Sequence, residues 1–228
     1  MEVKTSKIVI RQATRDEIDI LFKIEQAAWQ EKAATKEMLI SRMAVFTEGV
    51  FCAVKEGQIQ GFAVNQIINY ARFDKDGLSW ALLTDNGFIR KSHDQKGDSL
   101  YGVSISVPPY VGDKNIALKL YEHGGKLAIK YNLKKVYVGS RIPYYYKYAD
   151  KMSVDEYVYK KTKTGRIFDP ELALYIKMGL KIEKIIPNFF YDPESLNYGV
   201  LVSWENPFYR FTKNSNLLAK TLSVIFRL

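Results

Sequence analysis

Two histidines, one cysteine and sixteen tyrosines bound the side-chain chemistry open to this 228-residue chain. His93 stands beside Asp94. An imidazole there can serve as a base, although a lone histidine in a loop is often simply solvated. His123 precedes Gly124 and Gly125 in a helical pattern and reads as structural or exposed. No spacing of His, Cys and carboxylates suits a metal ion. The single Cys52 excludes an internal disulfide and reads as a buried strand thiol. Six tyrosines, at 144, 145, 146, 148, 157 and 159, crowd into residues 143–169 among Lys147, Lys151, Lys160, Lys161, Lys163 and Arg166. Aromatic walls with a few polar tips suit a small-molecule pocket. The same composition could stack on and neutralise RNA, or form a lid packed on the core.

The elements that must position these groups follow from periodicity. Residues 7–13 (KIVIRQA) alternate as a strand does, and Thr14 stands three residues before Glu17 in a capping-box spacing. Ile18, Leu21, Phe22, Ala28 and Trp29 then mark one helix face, and a second helix spans about 35–46. Residues 49–55 and 59–68 flank Glu56-Gly57 as a hairpin. Residues 70–99 have no clean period, and a loop of that length inside a domain is usually functional. A strand over 100–107 stops at Pro108-Pro109, because proline removes a ladder donor. A helix to about Asn132 and a strand over 135–142 follow. Pro170 suits a first helical turn, and Gly179 suits a left-handed cap after Met178. Strands over 180–190 and 196–204 close the order, giving a mixed α/β (α+β) sheet with helices on its faces.

The segment Ala173-Leu174-Tyr175-Ile176-Lys177-Met178-Gly179-Leu180 resembles the last-helix signature of the GNAT-fold N-acetyltransferases. Residues 107–117 (VPPYVGDKNIA) occupy the place of that family's phosphate loop, and the element order agrees. The chain is also similar to the acetyltransferase-like domain joined to carbon–nitrogen hydrolases (nitrilases), at residues 97–103 (GDSLYGV), 141–143 (RIP) and 148–153 (YADKMS). The resemblance covers about residues 8–206 and implies a largely antiparallel GNAT-like sheet flanked by helices. It also implies an acyl-CoA, most simply acetyl-CoA, whose thioester a small amine attacks directly. Backbone amides of Gly112, Asp113, Lys114, Asn115, Ile116 and Ala117 would cradle its phosphates. The strand edge at Ile105 and Val107 would run beside the pantetheine, and a strand N–H near Val107 would stabilise the oxyanion. Tyr175 would protonate the leaving thiolate. The acceptor would meet Trp80, His93, Arg141, Tyr144 and Tyr145, with residues 70–99 and 143–169 as facing insertions that form a lid.

Two positions depart from the family pattern. Asp113 sets a carboxylate beside the expected pyrophosphate and needs a cation to offset it. Ser104 stands where relatives often carry a Glu base, and a hydroxyl cannot take that part unaided. A degenerate GNAT-fold module that binds a ligand or protein without catalysis is therefore the rival reading. An RNA-directed acyltransferase or binder is a third, suggested by charge and tyrosine alone.

Thirty-four Lys and Arg against 25 Asp and Glu give +9, so an anionic partner is expected. Residues 207–228 carry Arg210, Lys213, Lys220 and Arg227 and no acid, with Leu217, Leu218, Leu222, Ile225 and Phe226 on one helix face. This tail has three fates: docking on the 1–206 domain, pairing in a homodimer, or lying on an anionic membrane surface. Docking is the expectation. The N-terminus lacks the apolar core of a secretory signal, and no stretch reaches membrane-span length, which points to a cytoplasmic protein.

Overall fold

A computed structural model describes residues 7–75, 78–212 and 215–226. Lys213 and Arg227, two of the tail's cations, lie outside them. Seven strands form one sheet in the order β1-β2-β3-β4-β5-β7-β6. They are β1 (Val9–Gln12), β2 (Val50–Lys55), β3 (Gln58–Ile68), β4 (Ser99–Ser106), β5 (Lys135–Ser140), β6 (Lys181–Ile186) and β7 (Gly199–Glu205). Every neighbouring pair is antiparallel except β4 and β5, so the sheet is mixed, as the element order implies, and largely antiparallel, as the resemblance implies.

Glu17 accepts the Thr14 N–H at 2.9 Å, and a 3-10 turn leads into α1 (Ile18–Trp29). The Thr35 hydroxyl caps α2 (Lys36–Val45) by accepting the Met38 N–H. Residues 70–99 are not wholly irregular: they hold α3 (Tyr70–Lys75) and α4 (Trp80–Thr84), the latter capped by Ser79. α5 (Lys114–Lys130) packs on β2, β3, β4 and β5. Its His123 lies edge-on to Phe51, and burial pushes the imidazole down to about 4, so this histidine is structural. α6 (Val154–Tyr159) starts on a Ser153–Glu156 capping box, and α7 (Pro170–Lys177) ends at a left-handed Gly179, φ +84°. The sixth strand is shorter than its apolar run, because Pro187 and a left-handed Asn188 turn the chain.

Two apolar clusters stabilise the domain. Leu21, Phe51, Phe62, Leu100 and Leu120 belong to one, and Tyr157, Val158, Leu172, Val200 and Val202 to the other. Of the three readings of residues 143–169, the structure matches the one packed on the core rather than an aromatic pocket wall: Tyr145, Tyr157 and Val158 are buried within the second cluster. That stretch has enough aromatic area to build its own core, and a packed aromatic cluster is worth more than an open wall. Beyond β7 come α8 (Tyr209–Thr212) and α9 (Asn216–Ile225). α9 lies on α5, Ala219 is buried, and Phe226 meets Trp204 and Phe208, so the tail docks on the domain. No helix among the described residues is long and apolar enough to cross a membrane.

Candidate active site

β4 and β5 are paired from Ser99↔Lys135 to Gly102↔Val138, and then they part. On the other side of β4 the register against β3 shifts between Val64 and Asn65, which bends the strand beside Ser104. A cavity of about 630 Å³ opens where the two strands diverge. Its floor is Gly102 to Ile105 and Val107 of the β4 segment with Val136 and Val138 of β5. Ala117, Leu120 and Tyr121 of α5 and Glu171, Leu174 and Tyr175 of α7 form one wall. Glu25 and Trp29 of α1, Met38 and Arg42 of α2, and Trp80 form another.

Tyr175 is buried, and its phenolic oxygen lies 2.6 Å from that of Tyr121. Burial pushes the Tyr175 phenol well above its ordinary value, so it keeps its proton at neutral pH. One turn earlier on the same helix, Glu171 also lines the cavity. Burial raises its carboxyl to about 7 against the opposing charge of Arg141, and the nearby Asp169 adds to the rise. Such a group accepts a proton readily near neutrality. The start of α7 fixes both side chains. Asp169 accepts the N–H groups of Glu171 and Leu172 at 2.9 and 3.0 Å, and the Tyr157 hydroxyl donates to its other oxygen at 2.9 Å. The tyrosine-rich segment thus braces the cavity wall from behind.

The turn before α5 has a clear geometry. Gly112 is left-handed at φ +65°, with open space where a Cβ would stand. Asp113 caps α5: its Oδ1 accepts the Asn115 N–H at 3.0 Å, and its Oδ2 pairs with Lys55 Nζ at 2.7 Å. Lys55 and the Asn115 N–H hold the Asp113 carboxyl below the usual carboxylate range. The cation that offsets Asp113 is therefore Lys55 of β2 rather than the adjacent Lys114.

Buried Asp192, behind the lining, ties together two cavity residues, Arg141 and Lys32. It accepts from Arg141 Nε at 2.8 Å and Nη2 at 3.0 Å, from Lys32 Nζ at 2.5 Å and from the Ser195 hydroxyl at 2.5 Å. Burial alone would raise this carboxyl, but those donors outweigh it and bring it to about 2. Glu25 is also buried and accepts the Ala34 N–H at 3.0 Å and the Ser106 hydroxyl. Ser106 in turn accepts the Trp29 indole N–H at 3.0 Å.

Of the residues expected from the sequence, the cavity brings together Trp80, Ile105, Val107, Ala117, Arg141 and Tyr175. It does not bring in His93, Tyr144 or Tyr145. His93 is stacked on Phe46, and its Nδ1 accepts the Ile67 N–H at 3.2 Å. Burial lowers its pKa. Tyr145 is core, and Tyr144 is exposed. Residues 112–116 shape the turn outside the cavity lining. Sequence reasoning missed Glu171, Glu25, Trp29, Arg42 and Asp192. Glu171 carried a signal, because it stands four residues before Tyr175 and so on the same helix face. Among the described residues no group of three His, Cys, Asp or Glu could hold a metal ion.

The chain is 34% identical over 212 residues to "Uncharacterized N-acetyltransferase YkwB" of Bacillus subtilis, covering 91% of this chain and 92% of that one. It is 36% identical over 202 residues to "Probable hydrolase YhcX" of the same organism, covering 88% of this chain but only 39% of the hydrolase. Among solved structures, the loading GNATL domain of CurA from Lyngbya majuscula superposes with a TM-score of 0.75 at 21% identity, covering 88% of this chain and 98% of that domain. A GphF GNAT-like decarboxylase in complex with isobutyryl-CoA gives 0.70 at 23%, covering 87% and 99%. No family model matches the sequence.

Proposed function

The chain belongs to the GNAT-fold N-acetyltransferases, and from that premise we propose that it transfers an acyl group from acetyl-CoA, or another acyl-CoA, to a small amine. The observation that carries this reading is the meeting of Tyr175, Glu171 and the parted edge of β4 in one cavity. The acyl-CoA supplies an activated thioester carbonyl. Its acyl and pantetheine end fits the apolar groove along Ile105, Val107, Ala117 and Leu120. Past Gly102, β4 has no β5 partner, so its edge N–H groups can donate to an oxyanion. Glu171 takes the proton of the attacking amine. Tyr175 gives its proton to the departing sulfur, while Tyr121 can donate back to the phenolate oxygen. Trp29, Trp80 and Leu174 keep the site largely apolar.

The phosphate end fits less well. Asp113 already occupies the helix start, so weak binding of the acyl-CoA is expected. That same contact supports the rival, a binding module without catalysis. The partial match to a longer hydrolase supports the likeness to domains joined to carbon–nitrogen hydrolases. A cytoplasmic setting accords with a single, buried, free thiol at Cys52. The test is calorimetric titration with acetyl-CoA, followed by mass spectrometry of an amine panel incubated with it. Binding with acylated product is expected. Binding without product would favour the module, and neither would sink the reading.

A further inference from the structure

Arg42 heads the fully buried side chains and is 1% exposed. Its Nε donates to the Gly87 carbonyl at 2.7 Å, which fixes the plane of the guanidinium. Nη1 and Nη2 have no hydrogen-bond partner among the described residues. Arg42 makes no ion pair among the described residues, although Glu25 lies near enough to act on its charge. Glu25 spends its oxygens on Ala34 and Ser106 instead. A buried guanidinium with a free pair of N–H edges is costly unless an anion meets it, and its planar fork matches a carboxylate.

The fork lies just behind the cavity wall, closed off from solvent. Arg42 Nη2, the Trp80 ring and Met38 Sδ converge on Gly87, each 3.1–3.2 Å from where a Cβ there would lie. Arg42, Trp80 and Met38 all line the cavity. Met38 is unbranched and adaptable, so it can turn aside to expose the fork. These residues come from α2 and α4, not from α5 and α7, which the acyl-CoA would use. They are left for the acceptor.

We propose that Arg42 seats a carboxylate of the acceptor, so that the acceptor class is an amine bearing a carboxylate, such as an amino acid. The proposal rests on the acyltransferase reading. Its test uses the full chain with acetyl-CoA, each amino acid and its decarboxylated amine. At least one amino acid should exceed its own amine in kcat/KM by about 10- to 100-fold, the range for a hydrogen bond to a charged group. Arg42→Met, similar in length and uncharged, should erase that preference. It should leave acetyl-CoA affinity within a few-fold, because the contact is to the acceptor. Arg42→Lys keeps the charge without the fork and should fall between; it carries the test if Arg42→Met does not fold. A preference that survives both substitutions overturns the proposal. So does equal use of amine and amino acid, or acetyl-CoA binding with no amino acid acylated. If succinyl-CoA gains affinity over acetyl-CoA through Arg42, the carboxylate rides on the acyl chain and the acceptor assignment falls. If acetyl-CoA itself does not bind, the acyltransferase reading falls first.

Discussion

Tyr121 of α5 and Tyr175 of α7 share a hydrogen bond, their phenolic oxygens 2.6 Å apart and their rings edge to face at 5.2 Å. The pair joins the two helices that make one wall of the cavity. Whichever phenol loses a proton has another O–H beside it to hold the resulting charge.

Tyr175→Phe should therefore lower kcat by about 10²–10⁴-fold, the usual size of positioned proton transfer. Acyl-CoA affinity should stay within a few-fold, because the contact matters only as the sulfur departs. Tyr121→Phe should have a smaller effect of the same kind. Full activity in Tyr175→Phe would remove it from the mechanism.

Glu171 must be ionised to accept a proton, so kcat/KM should rise with pH through about 7. Glu171→Gln should lose most of the rate and the inflection. Stability should move the other way. A carboxyl raised in the folded state adds stability at low pH, which is lost as pH rises through about 7. Denaturation midpoints of wild type and Glu171→Gln, measured between pH 5 and 8, should diverge in that sense. Parallel curves would contradict the burial argument.

Asp113→Gly should tighten acetyl-CoA binding, because it frees the Asn115 N–H and Lys55 for phosphate and removes a negative charge. The fold should lose only a few tenths of a kcal/mol for exchanging an Asp cap for Gly, plus the small worth of a partly exposed ion pair. Calorimetry of both proteins with the same acetyl-CoA gives the answer, and equal or weaker binding would place the phosphates elsewhere.

Asp192→Ala should destabilise the fold by about 1.5–3 kcal/mol, since it removes charge-assisted hydrogen bonds from Arg141 and Lys32 while Arg141 keeps Glu194. The pH dependence has a fixed sign. The carboxyl sits at about 2 against an ordinary 3.8, so its contribution is complete above 3.8 and lost as pH falls through about 2. Acid unfolding followed by circular dichroism should begin at higher pH in the variant.

Much of this was legible in the residues. The Pro170 start and the Gly179 stop depend on local chemistry, and both lie where local rules put them. Tyr175 was singled out by the resemblance of residues 173–180 to the family signature, and it lines the cavity. The tyrosine-rich segment was legible only as three alternatives, of which the packed one matches the structure. Composition supplies the aromatic area but not its direction, and here it turned inward to hold Asp169. Arg42 and Asp192 were hidden because their importance comes from partners 45 and 51 residues away, Gly87 and Arg141. No local pattern encodes such distances.

The parting of β4 from β5 has a mechanical side. The run from Ser99↔Lys135 to Gly102↔Val138 is the strand pairing that stitches the N-terminal strands to the C-terminal ones, and below it one apolar cluster crosses the seam, with Tyr137, Ile186 and Leu201 sharing a core with Leu100 and Tyr101. The cavity lies along the unstitched length. A molecule held there touches both halves and acts as a keystone, so occupancy stiffens the very junction that must stay open to admit it. Unfolding of the loaded protein should accordingly be more concerted than that of the free chain, beyond the rise in midpoint that mass action alone requires.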